Sequence, residues 1–310
     1  MNKILNQITT SSKNAIPKSL KTIWWLLKII LPISLIVSIL QYLGVIAYIA
    51  GYLTPVFSII GLPGESAIVF ISSIFLTLYA PIAILATLSL DMREITILAL
   101  MCLISHNLFV ETAVQKKTGS SAFIMFTLRI VTSFVSAFVL NLLLPKEIGP
   151  NIKIEKAIEF ANIYEMLLFW LKGAGYLILK ISIIVTGLMI LQNILKDFKI
   201  LDHIAKIFSP IMKIMGLSPD SSFLWFIAQI VGLTYGSIVM IDAVNNHDIS
   251  PKNADLLNYH IAINHSMLED TLLFVAIGVP AVWIMTPRII LAVIIVRFVK
   301  IVSTKKAIHQ

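Results

Sequence analysis

Two stretches decide the fold: Ser105-His106-Asn107-Leu108-Phe109-Val110-Glu111-Thr112 and Asn264-His265-Ser266-Met267-Leu268-Glu269-Asp270-Thr271. Each concentrates polar groups towards the end of a long apolar run, and the second repeats the first at a shift of 159, pairing His106 with His265, Glu111 with Asp270 and Thr112 with Thr271. Arg129 and Arg288 keep the same shift.

Working outward, the correspondence covers most of the chain. Lys28, Ser34 and Gln41 match Lys180, Thr186 and Asn193 at a shift of 152, and Thr54, Gly61 and Ser66 match Ser209, Gly216 and Ser221 at 155. Tyr79 then pairs with Tyr235. An ordered set of matches with small insertions is the signature of a duplicated unit. The division reads as a leading segment 1–22, a first repeat 23–145, a polar linker 146–159, a second repeat 160–302 and a tail 303–310.

The solvent for these repeats is lipid. Hydrophobic residues make up 58% of the 310 and charged residues 13%, too little charge to cover a water-soluble surface. Apolar stretches long enough for about 30 Å of hydrocarbon fall at 23–43, 67–90, 95–114, 123–144, 174–195, 223–244, 256–275 and 281–302. The expected fold is therefore an all-α, polytopic transmembrane bundle of about eight spans in two halves. Segments 45–60 and 199–215, short and proline-containing, read as interfacial amphipathic helices. Stretch 67–90 carries Tyr79-Ala80-Pro81 at its centre, so a re-entrant hairpin competes with a span there. One hairpin per half would change the parity and invert the repeats.

The net charge of +8 lies between the apolar runs, with no basic stripe interleaved with aromatics, which argues against nucleic acid. Lys3, Lys13, Lys18 and Lys21 precede the first run and Arg297, Lys300, Lys305 and Lys306 follow the last, so both termini are expected on the cytoplasmic face of the inner membrane. Lys146, Lys153 and Lys156 favour the same face for the linker. The basic segment 196–213, which eight uninterrupted spans would put outside, conflicts with that count. A single cysteine, Cys102, allows neither an intrachain disulfide nor a thiolate cluster.

Ionisable groups inside a bilayer face the bundle interior or water, because hydrocarbon penalises them. The candidate substrate- or ion-binding residues are His106, Asn107, Glu111, Thr112, His265, Ser266, Glu269, Asp270 and Thr271. His106 and Glu111 are five apart and diverge by roughly 140° on a regular helix, so they converge only if the helix breaks. Asn258, His265 and Glu269 would share one stripe of an unbroken helix. Arg129 and Arg288 read as charge-compensating partners of the acids, and Lys180 with Asp242 as a second compensating pair. Lys28 reads as a snorkelling side chain. A plain structural hydrogen-bonding role competes with a site role for each histidine.

The phrase from His106 to Glu111 followed by Lys116-Lys117-Thr118-Gly119, and that from Asn264 to Thr271 followed by Gly278, resemble the nucleoside recognition, or Gate, family of membrane proteins. That family is similar to gate regions of nucleoside transporters, the ferrous iron permease and spore maturation membrane proteins. The resemblance implies a helical gate fold and a transport-related role. It covers nearly the whole chain, but no P-loop and no Gly-Gln-Thr-Glu hairpin motif is present. The expected function is secondary transport of a small polar solute or cation through a His/carboxylate site between the repeats. The alternatives are a divalent metal permease and a non-transporting membrane protein that supports complex or envelope assembly. Neither an enzyme nor a cofactor is expected. The partners are the lipid bilayer and, in addition, a second copy or another membrane subunit.

Overall fold

The computed structural model describes residues 2–148, 160–198, 200–230, 239–241 and 243–308. It is helical throughout, with no strand among the described residues. Four helical stretches, Met92–Lys117, Ala122–Leu143, Ile163–Leu195 and Ala281–Ser303, are long and apolar enough to cross a membrane among those residues. Large apolar side chains remain outside, among them Phe123, Val131, Val135 and Phe138 on one helix and Ile290, Ile294 and Phe298 on another. Such faces require lipid.

The longest helices, α1 (Asn2–Tyr42) and α8 (Ile163–Asp197), pack against each other in antiparallel fashion. Trp170 Nε1 donates to Ser34 Oγ at 3.1 Å, Thr186 Oγ1 to Ser19 Oγ at 3.4 Å, and Asn193 Nδ2 to the Ser11 carbonyl at 2.8 Å. As one number rises the other falls. Ser34 and Thr186 are repeat partners, and each bonds across to the opposite helix, so a pseudo-twofold relates the two contacts. Each helix supplies the polar groups the other lacks.

From the far end of α1 the chain makes α2 (Val45–Ile59), then enters the bundle as α3 (Ser66–Phe75) and returns as α4 (Tyr79–Leu85). Ala83, Thr87 and Ser89 face Tyr42 and Phe160 across a cavity of about 520 Å³, so this hairpin leaves at the end where it entered. The stretch 67–90 is the re-entrant alternative. Helix α5 (Met92–Ser105) starts at that end with a capping box between Asp91 and Glu94, and Arg93 reaches Asn141 near the finish of α7 (Ala122–Leu143). Between them α6 (Leu108–Lys117) completes the crossing to the other end.

The second half repeats the path upside down. Helix α9 (Ile200–Met215) follows α8, and a 3₁₀ turn at Pro219–Ser221 leads into α10 (Ser222–Ile230). Helices α11 (Pro251–Ile263), α12 (Glu269–Val275) and α13 (Ala281–Ile308) complete it. Arg297 Nε donates to the Ile214 carbonyl at 3.1 Å, and Ser120 Oγ to Asp255 Oδ1 at 2.5 Å. These contacts put the end of α9, the start of α11, the α6–α7 corner and the later part of α13 at the end that carries the N-terminus. Gly278, close to Met92, lies at the other.

The all-α, polytopic, two-halved class stands, and its count of crossings is refined. Stretch 67–90 is flanked on both sides by the same end of the bundle, which leaves α1, α5 with α6, and α7 as the crossings of the first half; 231–238, within stretch 223–244, lie outside the described residues. Two expectations about the ends change as a result. Segment 196–213 lies beside the N-terminal lysines, in keeping with its charge. Lys146, where the linker leaves α7, lies at the end opposite Lys13 and Lys18, while Lys153 and Lys156 lie outside the described residues. The cause is parity: an odd number of crossings separates α1 from the linker.

Candidate functional site

Both site helices break at the polar phrase. Helix α5 stops at His106, which is extended at φ −62° and ψ 154°, and Asn107 adopts left-handed backbone at φ 48° before α6 begins. In the second half α11 ends at Ile263, Ser266 is left-handed at φ 46°, and α12 begins at Glu269. A left-handed non-glycine residue is uncommon, and two at equivalent repeat positions mark a selected conformation. Further on, Gly119 and Gly278 occupy φ 103° and 104°, again as repeat partners.

A break inside a bilayer frees backbone groups that need protein partners. The Asn107 N–H donates to the Ser73 and Leu76 carbonyls at 2.8 and 3.0 Å, and the Ser266 N–H to the Ala228 carbonyl at 2.9 Å. Asn107 thus docks on the turn between α3 and α4, and Ser266 on the last turn of α10. Gln229 Nε2 adds a bond of 2.6 Å to the Asn264 carbonyl.

The orphaned carbonyls go to the arginines. Arg129 donates through Nε to Ile104 at 2.7 Å and through Nη2 to His106 at 2.8 Å, and Arg288 bonds Ile263 at 3.2 Å and the His265 carbonyl in the same way. Both side chains are completely buried. The planar guanidinium suits this double contact, whereas a lysine would act as a point charge. The expectation of charge compensation therefore captures part of their placement, and sequence reading missed the backbone stapling.

The break brings together groups that a regular helix would separate. His106 Nε2 lies 3.3 Å from Glu111 Oε1 and 3.4 Å from Asp270 Oδ2, and His265 Nε2 lies 3.2 Å from Glu111 Oε1. The two imidazole Nε2 atoms are 3.3 Å apart. Contact between repeat partners puts them on the pseudo-twofold. On the far side of each ring, Nδ1 meets a backbone carbonyl, Cys102 at 3.2 Å for His106 and Ile261 at 2.7 Å for His265. A carbonyl only accepts, so each Nδ1 carries a hydrogen, and each Nε2 faces the carboxylates with a lone pair when its ring is neutral. Four acceptors thus converge, and a positive charge must be shared among them. His106, His265 and Asp270 offer ligand atoms within 4.8 Å of one another, the metal-holding set among the described residues.

The two halves are not identical here. Glu111 Oε2 sits 2.6 Å from Arg129 Nη1, but Asp270, one methylene shorter, makes no ion pair with Arg288 among the described residues. Asp270 Oδ2 and Arg288 Nη1 are buried without hydrogen-bond partners in the protein. Glu269 accepts from Tyr79 Oη at 3.1 Å, which brings the first half's hairpin to the second half's acidic pair. The duplicated Tyr79 and Tyr235 were visible in the sequence, but Tyr235 lies outside the described residues. Thr112 and Thr271 are buried beside the carboxylates.

The expected Asn258–His265–Glu269 stripe does not form, because the chain is not helical between Ile263 and Glu269. Asn258 instead joins the halves through 2.8 Å bonds to Thr118 Oγ1 and Ser120 Oγ. Lys28 is exposed, its ammonium 5.1 Å from the Trp24 ring centre, as a snorkelling residue would be. The Lys180 side chain and Asp242 lie outside the described residues.

Discontinuous helices, a docked re-entrant hairpin and lipid-facing flanks define a multi-pass integral membrane protein. The family model described as "Gate: Nucleoside recognition" matches it twice, over residues 23–140 and 178–305. The chain is also 33% identical over 278 residues, 89% of each protein, to the uncharacterized membrane protein YvoD of Bacillus subtilis (strain 168). It belongs to the Gate, or nucleoside recognition, family. No solved structure matches it significantly.

Proposed function

We propose that this chain is a secondary carrier for a small polar solute, seated in the cytoplasmic membrane with both termini inside, in which the two halves expose a shared site alternately. One observation carries the reading: the repeat-related histidines meet at the pseudo-twofold, between two helices that both break there. Inverted halves around a central site are a construction that permits alternating access, since one arrangement and its mirror exchange the open side. The antiparallel pairing of α1 with α8 supports inversion.

A cavity lies at one end of the bundle. The cavity of about 520 Å³ is lined by Ser34, Gln41, Thr87 and Trp170, and Ala83 on its wall stands one turn beyond Tyr79, which bonds Glu269. Its volume suits a small solute. On this reading the chain is a carrier and not an enzyme. Uptake into proteoliposomes across nucleosides, organic anions and metal cations is the test. Flux of one class that falls on substituting His265 or Asp270 supports the carrier. Flux untouched by both substitutions, or no flux of any class, overturns it.

A further inference from the structure

We propose that His106, His265 and Asp270, with Glu111 as a fourth donor, bind a divalent first-row transition-metal cation on the pseudo-twofold. This rests on the carrier reading and gives its solute a chemical class.

Distances decide between a metal and a mere hydrogen-bonded cluster. An imidazolium held by a carboxylate contracts to about 2.7–2.9 Å. Here His106 Nε2 lies 3.3 Å from His265 Nε2, 3.4 Å from Asp270 Oδ2 and 3.3 Å from Glu111 Oε1, and His265 Nε2 lies 3.2 Å from Glu111 Oε1. Bonds of about 2.0–2.1 Å to a four-coordinate ion hold its donors about 3.3–3.4 Å apart, the edge of a tetrahedron. Those four separations suit donors that share one ion, and His106, His265 and Asp270 offer their ligand atoms within 4.8 Å of one another.

The surroundings agree. Both rings present Nε2 inward because Nδ1–H is tied to a backbone carbonyl, the outer-shell partner that metal-bound histidines ordinarily have. Asp270 Oδ2 is buried, aimed at His106, and has no hydrogen-bond partner in the protein. Glu111, Asp270 and Glu269 supply three carboxylates against the guanidiniums of Arg129 and Arg288, so neutral imidazoles leave the site short of positive charge. Two imidazole nitrogens select against magnesium and calcium, which take oxygen, and in favour of manganese, iron, cobalt or zinc.

The experiment uses the full chain in detergent, stripped with a chelator and titrated with cobalt(II) as a spectroscopic probe. One cobalt per chain with the intense visible bands of four-coordination is expected, together with a higher melting temperature. H106Q, H265Q and D270N should each weaken cobalt binding by about a hundredfold or more, beyond the 10–100-fold typical of outer-shell changes. H247Q, at an exposed histidine remote from the site, serves as the control and should bind as the parent does. Melting of each metal-free variant establishes that it is folded. Cobalt binding that is absent from the parent, or equal in H265Q and the parent, overturns the metal site. Flux of another solute in the presence of chelator, still dependent on His265, would leave the carrier and remove the metal. A four-coordinate cobalt site with no flux of any solute or metal would leave the site and remove the carrier.

Discussion

Ser11 Oγ donates to Asp197 Oδ2 at 2.5 Å, so the close of α8 stands beside the opening of α1. Everything about sidedness follows from that bond. It gathers Lys13, Lys18, Lys206 and Lys213 at one end, and the later part of α13, with Arg297 and Lys300, joins them. On the proposed reading, that end is the one facing the cytoplasm.

Single cysteines in a C102A background check this arrangement. Cysteines at Lys13 and Lys213 should be labelled only by reagents that reach the cytoplasm, and one at Glu147 only from outside. Labelling of all three from one side would abolish the inverted relation of the halves.

The arginine staples carry a measurable load. In R129M two helix-end carbonyls lose their donor and Glu111 loses its counter-ion, and breaking a buried pair typically costs about 3–5 kcal/mol. The melting temperature in detergent should fall sharply. R129K should recover little, because an ammonium cannot serve Ile104, His106 and Glu111 together. Full recovery by lysine would mean that charge alone matters there.

Backbone strain makes a different prediction. Asn107 and Ser266 hold φ near +47° where each helix breaks, at 48° and 46° respectively. Glycine at either site should be tolerated within about 0.5 kcal/mol, since it occupies that region freely. Valine at Asn107 should cost roughly 1–2 kcal/mol. Equal melting of N107G and N107V would show that the break relaxes without consequence.

The duplicated phrase was legible because ionisable residues in an apolar chain have few places to go, and because two copies at a constant shift expose one another. The convergence of His106 with Glu111 was legible as a condition: it required a broken helix, and the helix breaks. Other features left no local trace. A hairpin of α3 and α4 has the composition of a span, so 67–90 alone could not fix the parity, and with it the end of the bundle at which α7 finishes. The stapling by Arg129 and Arg288 depends on carbonyls freed by the break, which residue types do not advertise. The Tyr79–Glu269 bond joins residues 190 apart and belongs to tertiary packing.

The one-methylene difference between Glu111 and Asp270 gives the sharpest test of how the halves divide their work. Glu111 reaches Arg129 at 2.6 Å while also facing both imidazoles, whereas Asp270 faces His106 at 3.4 Å and leaves Arg288 Nη1 without a bond. In D270E the longer side chain can close on Arg288 as Glu111 closes on Arg129. A charge-assisted bond of that kind contributes about 1.5–3 kcal/mol, so D270E should melt higher than the parent. The gain carries a functional loss, because a carboxylate held by Arg288 no longer presents a free oxygen to the shared site. Ligand binding and flux should therefore fall while stability rises. The reverse change, E111D, should release Arg129 and lower stability. If D270E instead melted lower and bound its ligand unchanged, Asp270 would be a packing residue, and the unequal lengths of the two acids would have no part in the mechanism.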